Sequence, residues 1–141
     1  MDPLRLAHLI AICLWGGLVL AEAVIELASR SDDEIRSAAR LHYFTDLIIE
    51  IPLLVAIVTT GAVLTLRVWP PTPLHIIKIA AAFAAIAANA VCVLFVVKRH
   101  QAAQANDVAR VRVLHRRVRW TGVGVPFALA AAAIGLARFS G

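Results

Sequence analysis

The sequence predicts an all-α integral membrane protein that folds as one antiparallel four-helix bundle, with both termini on the outer side. Of its 141 residues, 61% are hydrophobic, and the mean hydropathy is +0.83. Ordinary soluble domains are only about 45–50% apolar. Four apolar runs are each long enough to cross a bilayer, which takes about 20 residues. These two observations predict a single transmembrane domain over residues 1–141.

The four predicted helices cover about residues 4–28, 43–68, 74–98 and 120–139. The first run lacks a small-residue cleavage site, so we expect a retained helix and not a signal peptide. The short, proline-rich stretch "WPPTP" predicts a tight antiparallel hairpin between the second and third helices. The polar segments 29–42 and 99–119 are expected to continue as amphipathic helical extensions.

The distribution of basic residues predicts the orientation in the membrane. Segment 99–119 is rich in arginine and segment 29–42 carries three arginines, whereas the turn between the second and third helices has only Arg67 at its edge. The positive-inside rule therefore places both basic segments on the cytoplasmic side of a multi-pass protein and both termini on the outer side, which for a bacterial inner membrane is the periplasm. The net charge of +5 thus reflects orientation and does not indicate nucleic-acid binding. Cys13 and Cys92 lie inside apolar runs and suggest no disulfide framework.

Polar residues on the first three helices fall on one face each, because positions three or four apart share a helix face. A charge at the centre of a bilayer costs at least ~2.5 kcal/mol, so we expect these faces to converge inside the bundle. The inner end is the end that carries the arginine-rich segments, and the outer end is the opposite one. The three stripes are His8, Ile12, Trp15, Val19, Glu22 and Glu26; His42, Asp46, Glu50, Leu53, Ile57, Thr60 and Leu64; and His75, Lys78, Ala82, Ala85, Asn89 and Cys92.

The outer ends of these stripes predict a haem b site. His8 and His75 lie at similar depth on different helices, and two imidazoles can hold a haem iron from both faces inside a helical bundle. Lys78 is the candidate catalytic residue, with alternative roles at a haem propionate, as a ligand or in proton transfer. The cofactor contacts expected in addition are Trp15, the pair Gly16 and Gly17, and Asn89. The alternative is that the histidines are interfacial and that Lys78 extends its amine to water.

The inner ends carry a cluster of acids that has three interpretations. Opposed carboxylates with a nearby imidazole bind a divalent cation, or buried acids conduct protons, or the acids pair with the basic segments. Histidines 42, 100 and 115 are equally consistent with contacts to solvent or lipid headgroups. The residues assigned to this inner acid cluster are Glu22, Glu26, Asp46, Glu50, His42 and His100.

Two short stretches resemble a known family. "LRLAHLIAICLWGGL", with His8, Trp15 and Gly17, and "PLHIIKIA", with Lys78, are similar to the HemJ-type oxygen-independent protoporphyrinogen oxidases, whose fold is shared with copper-resistance-D-like membrane proteins. The resemblance implies haem b binding, with His8 as an iron ligand and Lys78 as a functional lysine. The chain departs from the family in "LAEAVIELASR", where acids replace basic and aromatic residues, and in "AANAV", which replaces a tyrosine-histidine pair. The paired acids of "FTDLIIEIP" are not a feature of the oxidases.

Three functions follow from these patterns. The first is a haem b membrane protein in electron transfer or oxidoreduction, including porphyrinogen oxidation. The second is a non-catalytic subunit or assembly factor of a larger membrane complex, and the third is a carrier of metal ions or protons that uses the inner acids. Expected partners are membrane lipid and either a membrane redox partner or a second copy of the chain. No hydrolytic, phosphate-binding or nucleic-acid motif is present in the sequence.

Overall fold

The computed structural model describes residues 2–122 together with Ala128 and Ala133. These residues form four helices in chain order: α1, Pro3–Ala28; α2, Asp32–Leu66; α3, Pro73–Gln104; and α4, Val108–Thr121. The first three are long and apolar enough to cross a membrane. The fourth predicted transmembrane helix, 120–139, lies almost entirely outside the described residues.

Local capping explains why α2 begins at Asp32 and not near residue 43. The hydroxyl of Ser31 accepts from the backbone N–H of Glu34, and the Glu34 carboxylate accepts from the backbone N–H of Ser31 at 2.9 Å. This reciprocal capping box satisfies donors that a helix start leaves unpaired. Most of the polar segment 29–42 is therefore the start of one long helix that continues into the apolar run.

A π-helical turn, Asp46–Glu50, interrupts α2 between two α-helical segments, Asp32–Thr45 and Ile51–Leu66. Pro52 lies just after this turn and has no N–H to donate to the carbonyl four residues earlier, with which its ring also clashes. The turn widens, and the Ile51 N–H bonds the carbonyl of Asp46. The proline thus produces a wide turn in which Asp46 and Glu50 are both buried.

Helices α1 and α2 form an antiparallel pair joined by polar contacts along its length. At the outer end Arg67 donates to Asp2 at 2.8 Å. Three further side-chain hydrogen bonds follow in order towards the inner end: His8 with Thr60, Trp15 with Glu50, and Glu26 with His42. The segment Ile51–Leu66 packs mainly on α1, so the hairpin between α2 and α3 is looser than the sequence predicts.

The inner end is closed by α4, which folds back on α3 and on the first segment of α2. A small apolar core forms there from Ile35, Ala102, Val111 and Leu114, with Phe95 packed against it. On the surface, the Arg112 guanidinium binds the Asp32 carboxylate through two nitrogens, at 2.7 and 2.8 Å. The arginine-rich segment is therefore an amphipathic helix with a buried apolar face.

We predict that Leu114→Ala destabilises the fold by about 2–5 kcal/mol, because it leaves a cavity in this core. The neighbouring Val113 is 46% exposed, so Val113→Ala is the matched control and should change stability by no more than about 0.5 kcal/mol. Unfolding of the detergent-solubilised protein, followed by circular dichroism, measures both. Equal losses for the two variants would contradict the packing of α4.

Candidate metal centre

The carboxylate of Glu26 lies at the meeting point of all four helices. The Arg99 Nη1 donates to Glu26 Oε2 at 2.7 Å, and Arg99 Nη2 donates to Oε1. His115 Nδ1 lies 2.9 Å from Glu26 Oε2, and His42 Nδ1 lies 2.7 Å from Glu26 Oε1. Arg99 is 0% exposed and the other three are also buried. Glu26 therefore links α1 to α2, α3 and α4 in a buried environment, where charge-assisted bonds are strong.

The contact with Glu26 determines which nitrogen of His42 carries the proton. An ionised carboxylate only accepts hydrogen bonds, and the two bonds from Arg99 favour the ionised form of Glu26. His42 Nδ1 therefore donates its N–H to Glu26. In the neutral ring, Nε2 then holds the lone pair.

That lone pair points towards two further carboxylates. His42 Nε2 lies 3.4 Å from Glu22 Oε2 and 3.4 Å from Asp46 Oδ1. One ligand atom from each of the three residues lies within 4.8 Å of the others. Within the described part of the chain, both oxygens of Asp46 and Oε1 of Glu22 are buried without a hydrogen-bond partner. His42 Nε2 and the carboxylates of Glu22 and Asp46 thus converge on one point. Asp46 also approaches the Glu50 carboxyl, and the two groups share a hydrogen bond when one of them carries a proton.

The spacing of these atoms matches the coordination of a small divalent cation. Protein oxygen and nitrogen ligands lie about 2.0–2.2 Å from zinc in a tetrahedral site, which puts neighbouring ligand atoms about 3.4 Å apart. The two separations from His42 Nε2 have this length. Buried polar atoms without hydrogen-bond partners are rare in proteins and call for an explanation. A cation bound by Glu22, His42 and Asp46 supplies one.

The balance of charge in this region also favours the binding of a cation. Among the described residues, four carboxylates are buried, those of Glu22, Glu26, Asp46 and Glu50, but only one guanidinium, that of Arg99. Glu50 has a neutral donor, the Trp15 Nε1–H, at 2.8 Å. Uncompensated charge is costly in a dry interior. The excess of negative charge is therefore a reason for the region to take up cations or protons.

A cavity of about 170 Å³ between α1 and α2 reaches this cluster. Glu22, Glu26 and His42 line its inner wall, and Leu18, Ile25 and Leu41 lie among its apolar walls. A metal site needs an access path as well as ligands. The cleft brings solvent-sized space directly to two of the three candidate ligands.

Sequence reasoning did not single out Arg99 and His115 as members of this cluster. Arg99 extends the stripe of α3 from Cys92 through Val96, at the same spacing of three or four residues. His115 shares the buried face of α4 with Val111 and Val118. Both residues lie in segments rich in arginine, which favour contact with solvent, whereas the helical periodicity places them on inward faces. Burial lowers the pKa of His115, and the nearby Glu26 carboxylate opposes that shift.

Of the residues assigned to the inner acid cluster, the structure brings together all except His100. His42 and His115 are buried, which differs from the solvated or headgroup contacts that the sequence also allowed. His100 is only half-buried and stacks on the Tyr43 ring, with the ring centroids 4.1 Å apart. Its Nε2 also contacts the amide of Gln104 at 3.2 Å. His100 therefore lies beside the cluster and not in it.

At the outer end, His8 packs against α2. Its Nδ1 lies 2.8 Å from Thr60 Oγ1, and the Thr60 hydroxyl is also hydrogen-bonded to the Ala56 carbonyl. A Cβ on Gly61 would lie 3.1 Å from the Cε1 atom of His8, so only glycine fits there without a shift. Because the Thr60 hydroxyl donates to the carbonyl, His8 Nδ1–H donates to Thr60, and Nε2 keeps the lone pair.

Of the other residues predicted at the outer site, Lys78 interacts electrostatically with His8. His75 and Lys78 are in the first two turns of α3, where the His75 N–H faces the capping hydroxyl of Thr72. Gly16 and Gly17 are exposed. Asn89 is half-buried deeper in α3, and its amide nitrogen has no hydrogen-bond partner among the described residues. The Trp15 Nε1–H donates to the Glu50 carboxylate, which belongs to the inner acid cluster.

Comparison of the chain with protein-family models, with curated proteins and with solved structures gives no match.

We predict that Arg99→Ala destabilises the protein by about 3–5 kcal/mol, because it leaves the Glu26 carboxylate buried without its cation. Lys98 is adjacent and exposed, so Lys98→Ala is the matched control, with a change of no more than about 0.5 kcal/mol. Thermal unfolding in detergent compares the variants. Wild-type stability in Arg99→Ala would contradict the central role of this ion pair.

Proposed function

We propose that the chain is a membrane protein that binds a divalent metal cation inside its helical bundle, with Glu22, His42 and Asp46 as ligands. The observation that carries the proposal is the convergence of three buried acceptor groups, two of them with orphaned oxygens, at ligand-to-ligand distances. The acids and the imidazole come from α1 and α2, which their other polar contacts hold in register. Because these contacts hold the three ligand groups in place, the groups are better arranged to bind a cation than a mobile cluster of acids would be.

The donor set indicates the class of cation. One imidazole and two carboxylates suit zinc, iron(II), manganese and cobalt, whereas calcium and magnesium prefer oxygen ligands alone. The site lies at the end of the bundle that carries the arginines, which the positive-inside rule assigns to the cytoplasm of a bacterial inner membrane. In this orientation the N-terminus is periplasmic, and the cation exchanges with the cytoplasmic side. Carriage of the cation across the membrane is an extension of the same proposal.

We predict that Asp46→Asn lowers the affinity for Zn²⁺ or Co²⁺ by more than about 100-fold, since loss of outer-sphere partners alone costs about 10–100-fold. Asp33→Asn is the matched control, because Asp33 is an exposed acid on the same helix, and it should bind like the wild type. Calorimetric titration of the chelator-treated, detergent-solubilised protein measures the affinities. If the folded wild-type protein does not bind Zn²⁺ or Co²⁺, the proposal is overturned. The remaining interpretation is then that the acids only form salt bridges with basic residues.

A second candidate function, haem b binding at the outer end, is favoured by the state of His8. Because Nδ1 donates to Thr60, the lone pair of the neutral ring is on Nε2, and this is the ring state that a haem iron requires. His75 is the candidate second ligand. Bound haem would supply one-electron chemistry, and Lys78 would act at a propionate or in proton transfer. A membrane oxidoreductase of the type that the sequence resembles is the function that follows.

We predict for this candidate that protein from haem-replete cells shows a Soret band that shifts on reduction, and that His8→Ala removes it. His100→Ala is the matched control and should keep the band, since His100 stacks on Tyr43 at the opposite end. Absorption spectra of the purified variants in oxidised and reduced states decide the matter. A colourless wild-type protein would exclude haem binding and would leave the cation site unaffected.

A further inference from the structure

The proposed cation site depends on one imidazole, and an imidazole binds a metal only through the nitrogen that carries no proton. His42 has acceptors on both sides: Glu26 at Nδ1, and Glu22 and Asp46 near Nε2. Only a proton on Nδ1 leaves Nε2 available to the cation. Whichever acceptor attracts the ring proton more strongly therefore decides whether His42 can be a ligand.

The distances favour Glu26. Glu26 Oε1 lies 2.7 Å from Nδ1, whereas the oxygens facing Nε2 are both 3.4 Å away. Arg99 Nη2 also approaches Nδ1, but at 3.4 Å it is farther than the carboxylate. A hydrogen bond of 2.7 Å between a ring N–H and an ionised carboxylate is short and strong. Removal of Glu26 would leave the two other carboxylates to draw the proton to Nε2.

Glu26 is in turn held by groups from the other two helices. Arg99 of α3 binds both of its oxygens, and His115 of α4 contacts Oε2 at 2.9 Å. Arg99 Nη1 and His115 Nδ1 are 3.1 Å apart, so the three groups form one buried unit. With both oxygens bound in this way, the Glu26 carboxylate has little freedom to rotate away from His42.

We infer that Glu26 is a positioning residue that fixes the tautomer of His42, and that Arg99 and His115 couple α3 and α4 to cation affinity through it. The inference rests on the proposed function, since it assigns the outer partners of the same site. Carboxylate–histidine–metal relays of this kind orient ligands and typically contribute about 10–100-fold in metal affinity. Fixing this tautomer of His42 should also favour cobalt and zinc over manganese, because the binding of cobalt and zinc is strengthened more by an imidazole nitrogen.

The test replaces the buried ion pair by apolar residues of similar volume, Glu26→Leu with Arg99→Met, a change that proteins often tolerate. The matched control is Asp32→Leu with Arg112→Met, which removes an exposed ion pair at the same end of the bundle. Each pair is made in the wild type and in His42→Asn. Calorimetry with Co²⁺ and with Mn²⁺ gives the affinities, and circular dichroism with gel filtration verifies the fold.

In the wild-type background, the Glu26/Arg99 replacement should lower Co²⁺ affinity by about 10–100-fold, and Mn²⁺ affinity by less. In His42→Asn the same replacement should change Co²⁺ affinity by no more than about twofold, because the coupling acts through the imidazole. The control pair should leave both affinities unchanged. If the replacement does not fold, Glu26→Gln keeps the volume and should show a smaller loss that again disappears in His42→Asn.

Two results would overturn the inference alone: wild-type Co²⁺ affinity in a folded Glu26 variant, or an equal loss with and without His42. Absence of Co²⁺ binding by the wild type is a different result. It removes the proposed function together with this inference, so the two failures are distinguishable.

Discussion

The ion pair between Glu26 and Arg99 is the interaction on which the inner half of the molecule depends. Both groups are buried, and either one alone would be an uncompensated charge in an apolar environment. Together they fix the relative positions of α1 and α3, and through His42 and His115 they reach α2 and α4. A network in which every helix contributes one group requires the helices to meet in one arrangement. The helix packing and the candidate site therefore have a common origin.

The neighbouring acids contribute in a different way. Glu22 and Asp46 are buried as well, and their oxygens without hydrogen-bond partners have a cost in free energy that a bound cation or proton would offset. The Glu26–Arg99 pair provides the rigid support, and the Glu22–His42–Asp46 group provides the unsatisfied acceptors. Among the described residues, three of the four carboxylate oxygens of Glu22 and Asp46 lack a hydrogen-bond partner, whereas in the Glu26–Arg99 pair only Arg99 Nε lacks one.

Periodicity predicted the helical fold and much of the cluster, because the apolar and polar positions repeat with the helical spacing. It placed Glu22, Glu26, His42, Asp46 and Glu50 on inward faces, and all five are buried. It missed Arg99 and His115, since a basic segment beside a membrane is normally solvated. The tautomer of His42 and the orphaned oxygens depend on distances between helices, which no pattern within one helix encodes.

The contact between Gly61 and His8 does not follow from the sequence pattern of α2, because the π turn changes the direction in which the later residues of the helix face. An uninterrupted α-helix that buries His42 and Asp46 would point Leu53, Ile57 and Thr60 inward. The wide turn at Asp46–Glu50 rotates the rest of α2, so that the inward face broadens to take in Leu54 and Gly61 as well. The His8 ring then rests against Gly61. A local change in winding therefore alters contacts three turns away.

A π turn contains one residue more than the α-helical turn it replaces, which has an evolutionary consequence for this chain. A homologue one residue shorter between positions 46 and 50 would still cross the bilayer with the same apolar length. Its two halves of α2 would, however, have a different rotation relative to each other, and Gly61 would no longer face the His8 ring. A single-codon deletion there would therefore separate proteins that share the bundle from those that share its chemistry.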